Sequence, residues 1–364
     1  MESFEIFEIV NILGLLLGLV FGAIAQKKQF CFSGSIKDYM LTKSTMRGSS
    51  VIMAMIVAIV STNIISYFFE IDLTETSYYR DNINYFSIIL GGAMFGVGMM
   101  LADGCSNRHL IKLAQGDKNS VISIVFIAIF AFATTKGFLY GFLDPIVNNP
   151  TLLDWSSKLG NITMNVYIVV GILFILLLIL VKKMKRIFSL WDGVLVGLLV
   201  AAAWSITGII GGESMERIIN LSGITFVYPT AKSLELFMLY EVNELTFSIS
   251  LVIGVLLGAF TMSKFNRRYS FGCTAAKGEN RVKNNMIGGA LMGTGGILSI
   301  GCTVGQGLTG LSTLAFASAI AIISIFISGA ITAIYLNRKN QLPMCFIFEW
   351  NDDQKEENTV DFQI

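Results

Sequence analysis

Nine runs of apolar residues limit what this chain can become. They lie near 6–25, 49–68, 85–102, 120–142, 162–181, 190–210, 245–263, 285–300 and 313–335. A helix of roughly 20 such residues bridges the hydrocarbon layer of a bilayer. The predicted fold class is therefore an all-α membrane protein with about nine transmembrane helices. Charge usage agrees. Only 14% of residues are charged and 54% are hydrophobic, where a soluble domain carries roughly 25% charge. The run 285–300 is short, which predicts a loop at membrane depth and short re-entrant helices sheltered by protein or a water-filled cavity. The first run is long enough to stay in the bilayer rather than act as a cleaved signal. Net charge is +1, so no nucleic-acid partner is implied.

Lysine and arginine set an expected orientation. Basic residues crowd 26–47, 182–186 and 264–283, while 69–84 and 211–244 are acidic. With nine spans, these segments all fall on their proper sides if the N-terminus is periplasmic and the C-terminus cytoplasmic. One transmembrane domain is expected over 1–336, followed by an acidic cytoplasmic tail over 337–364.

A short pattern occurs twice inside that domain. Residues 91–105 read GGAMFGVGMMLADGC and residues 288–302 read GGALMGTGGILSIGC, identical at eight of fifteen positions. Weaker matches join GLLLG at 14–18 to GVLLG at 254–258 and extend the repeat units to about 14–115 and 254–312. The first unit holds one additional span, 49–68. An additional span reverses the membrane sense of everything after it. Only the later parts of the units should then be inverted, their two Gly-Cys turns entering from opposite faces and meeting near the midplane.

A lone membrane cysteine is most often a small buried hydrophobe. Cys105 and Cys302 recur at matched positions, each after a glycine, Gly104 and Gly301. Cys31, in QFCFSGS, follows the first span. These three are the candidate site. Glycine permits a sharp turn and close approach of a ligand. The residues after each Gly-Cys pair can open a short helix, whose free N–H groups attract an anion. Ser106, Asn107, Thr303 and Gln306 add neutral polar groups, and Arg108 a charge. Asp103 is a candidate partner for Arg108. His109, the single histidine, has no companion at ligand spacing and reads as a polar interface residue. No metal or cofactor site is expected, although clustered cysteines suit a soft ion such as Cu(I). The GxxxG steps at 92–96 and 289–293 read as helix packing. Cys273 is a weaker candidate, and Cys345 reads as incidental.

These stretches resemble the YeeE/YedE family of sulfur-compound transporters. The resemblance is carried by QFCFSGSIKDYML at 29–41, GMMLADGCSNRHLIKLAQG at 98–116 and GGILSIGCTVGQGLTG at 295–310. It implies nine spans, several short helices, an hourglass shape and three path-lining cysteines, which correspond here to Cys31, Cys105 and Cys302. It implies uptake of thiosulfate across the bacterial inner membrane rather than an enzymatic activity. Transport of a selenium compound by the same scaffold, or a membrane sulfurtransferase carrying a cysteine persulfide, are the alternatives. The sequence shows no TusA-like carrier domain, so a separate cytoplasmic carrier of that kind is an expected partner.

Overall fold

The computed structural model describes residues 5–79, 83–148, 163–182, 190–214, 219–238, 245–267, 269 and 281–342. Cys273, Cys345 and the tail from 343 onward lie outside the described residues. Helices account for nearly all regular structure among the described residues. An isolated bridge pairs Thr163 with Ala315.

The helices are α1 (Ile6–Lys28), α2 (Phe32–Thr42), α3 (Met46–Phe69), α4 (Tyr85–Leu101), α5 (Ser106–Ala114), α6 (Lys118–Thr135) and α7 (Phe138–Val147). They continue with α8 (Val166–Val181), α9 (Trp191–Ser205), α10 (Val227–Met238), α11 (Phe247–Phe265) and α12 (Arg281–Leu298). A helical segment α13 covers 303–312, with Gly305–Gly310 wound as π-helix. The last helix is α14 (Phe316–Arg338).

All nine predicted spans are helical. Seven helices are long and apolar enough to cross a membrane by length and composition. The other two are α8, which is shorter, and α12, whose first turn carries Arg281, Lys283 and Asn285. Two boundaries differ from the sequence reading. The run 120–142 is two helices, because α6 stops at Thr135 and Gly137 caps α7. The run 285–300 is not a short helix. It starts at Arg281 and has 18 residues, about 27 Å at 1.5 Å per residue. Its polar first turn hid it from a reading based on apolar runs. The shortness belongs to α2, α5 and α13.

The surface is that of a protein facing lipid. Ile168, Ile172 and Ile175 on α8 are each more than half exposed. The interior holds Ser49, Thr207, Asn285, Lys112 and His109. Water would reverse this arrangement, since large exposed apolar patches are unfavourable there.

Glycines decide the helix pairing, because they let backbones touch. A Cβ on Gly14 would lie 2.9 Å from the Phe247 carbonyl oxygen, and one on Gly22 2.9 Å from Val255 Cα. Contacts that advance together along both chains make α1 and α11 a parallel pair. On α4, a Cβ at Gly91 would lie 2.6 Å from Leu298 Cβ, and one at Gly98 2.7 Å from the Gly288 carbonyl oxygen. Here the numbers run in opposite directions, so α4 and α12 are antiparallel. The first helices of the two repeat units thus point the same way, and the Gly-Cys helices point opposite ways. This is the partial inversion the span count predicts. Exchange of partners completes it: α4 packs along α14 through Gly92 and Gly96, and α12 along α6 through Gly289 and Gly293. The GxxxG glycines serve packing, as read from sequence.

Candidate functional site

Each of the three cysteines sits at the same local structure. A helix ends, one residue turns left-handed, one residue follows, and then the cysteine opens a short helix. The left-handed residues are Gln29, Asp103 and Ile300, with φ of 56°, 63° and 59°. Each stands two places before its cysteine. The sequence reading gave the turn to Gly104 and Gly301, but neither has a positive φ. Their lack of a side chain serves close approach instead. A Cβ on Gly104 would lie 3.0 Å from Arg108 Cγ, and one on Gly301 3.3 Å from Gln306 Cγ.

The cysteines are N-caps. The Gly34 N–H donates to Cys31 Sγ at 3.3 Å, and the Gly305 N–H donates to Cys302 Sγ at 3.3 Å. In both cases the donor is the third residue after the sulfur, where an N-cap side chain meets a free helix N–H. Cys105 holds the same position before α5 without a full cap bond. Its thiol has the Cys31 thiol as a neighbour on one side and Thr303 on the other, and Thr303 Oγ1 has no hydrogen-bond partner. Cys31 Sγ is also 3.1 Å from Ser33 Oγ. All three thiols are buried and none is in a disulfide. The positive ends of α2, α5 and α13 therefore converge on one buried line of groups: Cys302 with Thr303, then Cys105, then Cys31. A backbone N–H donates to the sulfur at each end of that line.

The segment that carries Cys302 and α13 is enclosed by protein. Every residue from 301 to 315 is buried. Backbone carbonyls there and beside it find side-chain donors, as burial demands. Tyr78 Oη donates to the Gly305 carbonyl at 2.9 Å, Tyr79 Oη to Thr313 at 2.7 Å, and Asn63 Nδ2 to Ser312 at 3.0 Å. Thr309 Oγ1 donates to Ile224 at 2.7 Å, and Trp204 Nε1 to Ser312 Oγ at 3.0 Å. Gln306 Nε2 donates back to the Ser299 carbonyl, tying α13 to the turn before Cys302. Phe32 and α13 meet at Gly307, where a Cβ would lie 2.9 Å from Phe32 Cε1. That contact sets α2 beside α13.

Ser106, Asn107, Thr303 and Gln306 are all buried. Ser106 Oγ, Asn107 Oδ1 and Gln306 Oε1 have no hydrogen-bond partner, so they are unspent polar capacity at the first turns of α5 and α13. Arg108 is buried too, and does not snorkel to an interface. Asp103, the expected partner of Arg108, has two lysine partners that the sequence did not single out. It bridges Lys37 Nζ at 2.5 Å and Lys112 Nζ at 2.7 Å, tying α2, the turn before Cys105 and α5 together. Lys37 is 66 residues from Asp103, beyond the reach of local reading. Tyr78 lies in a segment whose acidic residues are its one clear mark in the sequence, yet its ring is buried against α13 and its hydroxyl donates to Gly305.

The sulphur-transport family matches residues 27–332, most of the chain and all three cysteines. The chain belongs to this family. The thiosulfate transporter TsuA of Escherichia coli is 25% identical over 323 residues, covering 81% of this chain and 86% of that protein. The thiosulfate transporter TsuA of Spirochaeta thermophila is 26% identical over 330 residues, covering 86% and 94%. The probable transporter YedE of E. coli matches over 104 residues, at 26% identity, covering 29% of this chain and 24% of that protein.

Proposed function

We propose that this protein takes up thiosulfate, or a closely related sulfur anion, across the bacterial inner membrane, and that Cys302, Cys105 and Cys31 pass it inward in that order. The observation that carries the reading is the buried line of three thiols, each at the positive end of a short helix. The TsuA relatives, which align over most of their length, supply the substrate class.

The chemistry suits transit rather than storage. Helix N-termini offset a dianion's charge, and the buried Arg108 adds to this in the first turn of α5. Thiols are weak hydrogen-bond donors, and a transport site must release what it binds. Neutral thiols serve this path, because a thiolate would repel the anion. Thr303, Ser106, Asn107 and Gln306 add neutral polar contacts. Entry is on the side of Tyr78 and Cys302, and exit is on the side of Lys37 and Lys112. The basic segments 26–47 and 182–186 favour a cytoplasmic exit and a periplasmic N-terminus. A separate TusA-like carrier there would accept the delivered sulfur. Nothing in the geometry favours selenium transport or a persulfide-bearing sulfurtransferase over this reading.

Growth of cells with thiosulfate as sole sulfur source tests the site. Cys105→Ala or Cys302→Ala, at native expression, should stop growth on thiosulfate and leave growth on cysteine intact. Unimpaired growth on thiosulfate sinks the site assignment.

A further inference from the structure

We infer that His109 binds a proton that travels with the anion, making uptake proton-coupled. The inference rests on the anion-uptake reading above. His109 is 1% exposed and stands four residues after Cys105. Its Nδ1 is 3.2 Å from Ser120 Oγ. The Ser120 hydroxyl donates to Asp117 Oδ2 at 2.9 Å. Serine has one hydroxyl hydrogen, and an ionised carboxylate only accepts. Ser120 has therefore committed its hydrogen to Asp117, and its oxygen can only accept from His109. Nδ1 carries the ring hydrogen, and Nε2 presents a lone pair.

That lone pair is buried and has no hydrogen-bond partner. A Cβ on Gly104 would lie 3.6 Å from Nε2, so Nε2 faces the turn that leads into Cys105. An unsatisfied buried acceptor costs free energy. It is explained if the position is filled during part of a working cycle. His109 is the chain's single histidine, and an imidazole nitrogen with an unshared lone pair can take up a proton. The charged groups around it are Arg108 and Lys112 on α5, Lys37 on α2, Asp103 in the turn after α4, Asp117 before α6, and Arg281 at the start of α12.

A dianion entering an inside-negative cell moves two negative charges against the membrane potential, and one co-moving proton halves that electrical cost. An anion at Cys105 adds negative charge beside the imidazole and favours a proton on Nε2. Departure of the anion inward removes that attraction, and the proton leaves Nε2 for the inner solution. Each ligand thereby raises the affinity for the other. Ser120 and Asp117 keep Nδ1 donating throughout the cycle.

The test uses the full chain in proteoliposomes with labelled thiosulfate, with and without an inward gradient of one pH unit. For each proton moved, that gradient supports up to about tenfold greater accumulation. Wild type should show clear stimulation, and in H109Q the ratio of driven to undriven uptake should fall to near one. Ser120→Ala is the second variant, for use if H109Q fails to fold. It frees Nδ1, so the pH profile of uptake should shift, which a merely structural role would not do. The inference is overturned if wild-type uptake ignores the gradient, if H109Q keeps the wild-type ratio, or if the Ser120→Ala profile overlays wild type. Absence of any wild-type uptake would instead overturn the transport reading, and this inference with it.

Discussion

At the scale of single residues, Asp103 carries more than its place in the sequence suggests. It precedes Gly104-Cys105, turns the chain left-handed, and joins two buried lysines. Removing one partner of a buried ion network leaves uncompensated charge, at a cost of about 3–5 kcal/mol. Asp103→Asn should therefore lower the melting temperature of the purified protein clearly, and lower uptake with it. A melting temperature equal to wild type would show the lysines satisfied elsewhere. The cysteines and their neighbours were legible in sequence because a repeat marked them. The left-handed residues were not, since Gln29, Asp103 and Ile300 share no chemistry. Their likeness is in φ alone, and only coordinates display it. Nor were the lysine partners of Asp103, because a pairing between distant segments leaves no local trace.

At the scale of elements, close backbone approach holds the bundle together. A Cβ on Gly18 would overlap the Leu251 carbonyl oxygen, whereas one on Gly171, in α8, would meet nothing within 4 Å. Gly18→Val should cost about 3 kcal/mol or more through overpacking, seen as loss of folded protein by size-exclusion profile. Gly171→Ala should hold or gain about 0.5–1 kcal/mol, the helical advantage of alanine. Equal behaviour of the two variants would contradict the α1–α11 contact. A polar tether adds to this packing. Lys136 Nζ bonds Glu235 Oε1 at 2.7 Å, joining the end of α6 to α10. That bond holds the Glu235 carboxyl below its ordinary range. Its stabilisation is thus present above the unfolded carboxyl range, near pH 4.3, and is lost as pH falls through the lower folded value. Glu235→Gln should lower the melting temperature slightly at neutral pH, with the difference closing in acid; a gap that persists in acid would point elsewhere. The span pattern was readable because hydrophobicity has a length scale. The break at Gly137 and the polar start of α12 were not, since both are decided by packing against neighbours.

At the scale of the whole molecule, one additional span explains the architecture. Inserting α3 between the matched helices leaves α1 and α11 parallel and makes α4 and α12 antiparallel. The short helices α5 and α13 then approach from opposite ends, and their first residues, next to Cys105 and Cys302, meet. Counting spans in the sequence was enough to expect this. The order of the thiols was not readable, because Cys31 has no strict counterpart in the second unit. It emerged from the neighbours of Cys105, which are Cys31 and Thr303. The account's central claim is that these three thiols form one inward path for a sulfur anion. Uptake of labelled thiosulfate into proteoliposomes, compared among wild type, C31A, C105A and C302A, measures it directly. Each substitution should cut the initial rate at least about tenfold, the equivalent of roughly 1.4 kcal/mol, with folded protein retained. Wild-type rates in all three variants would contradict it.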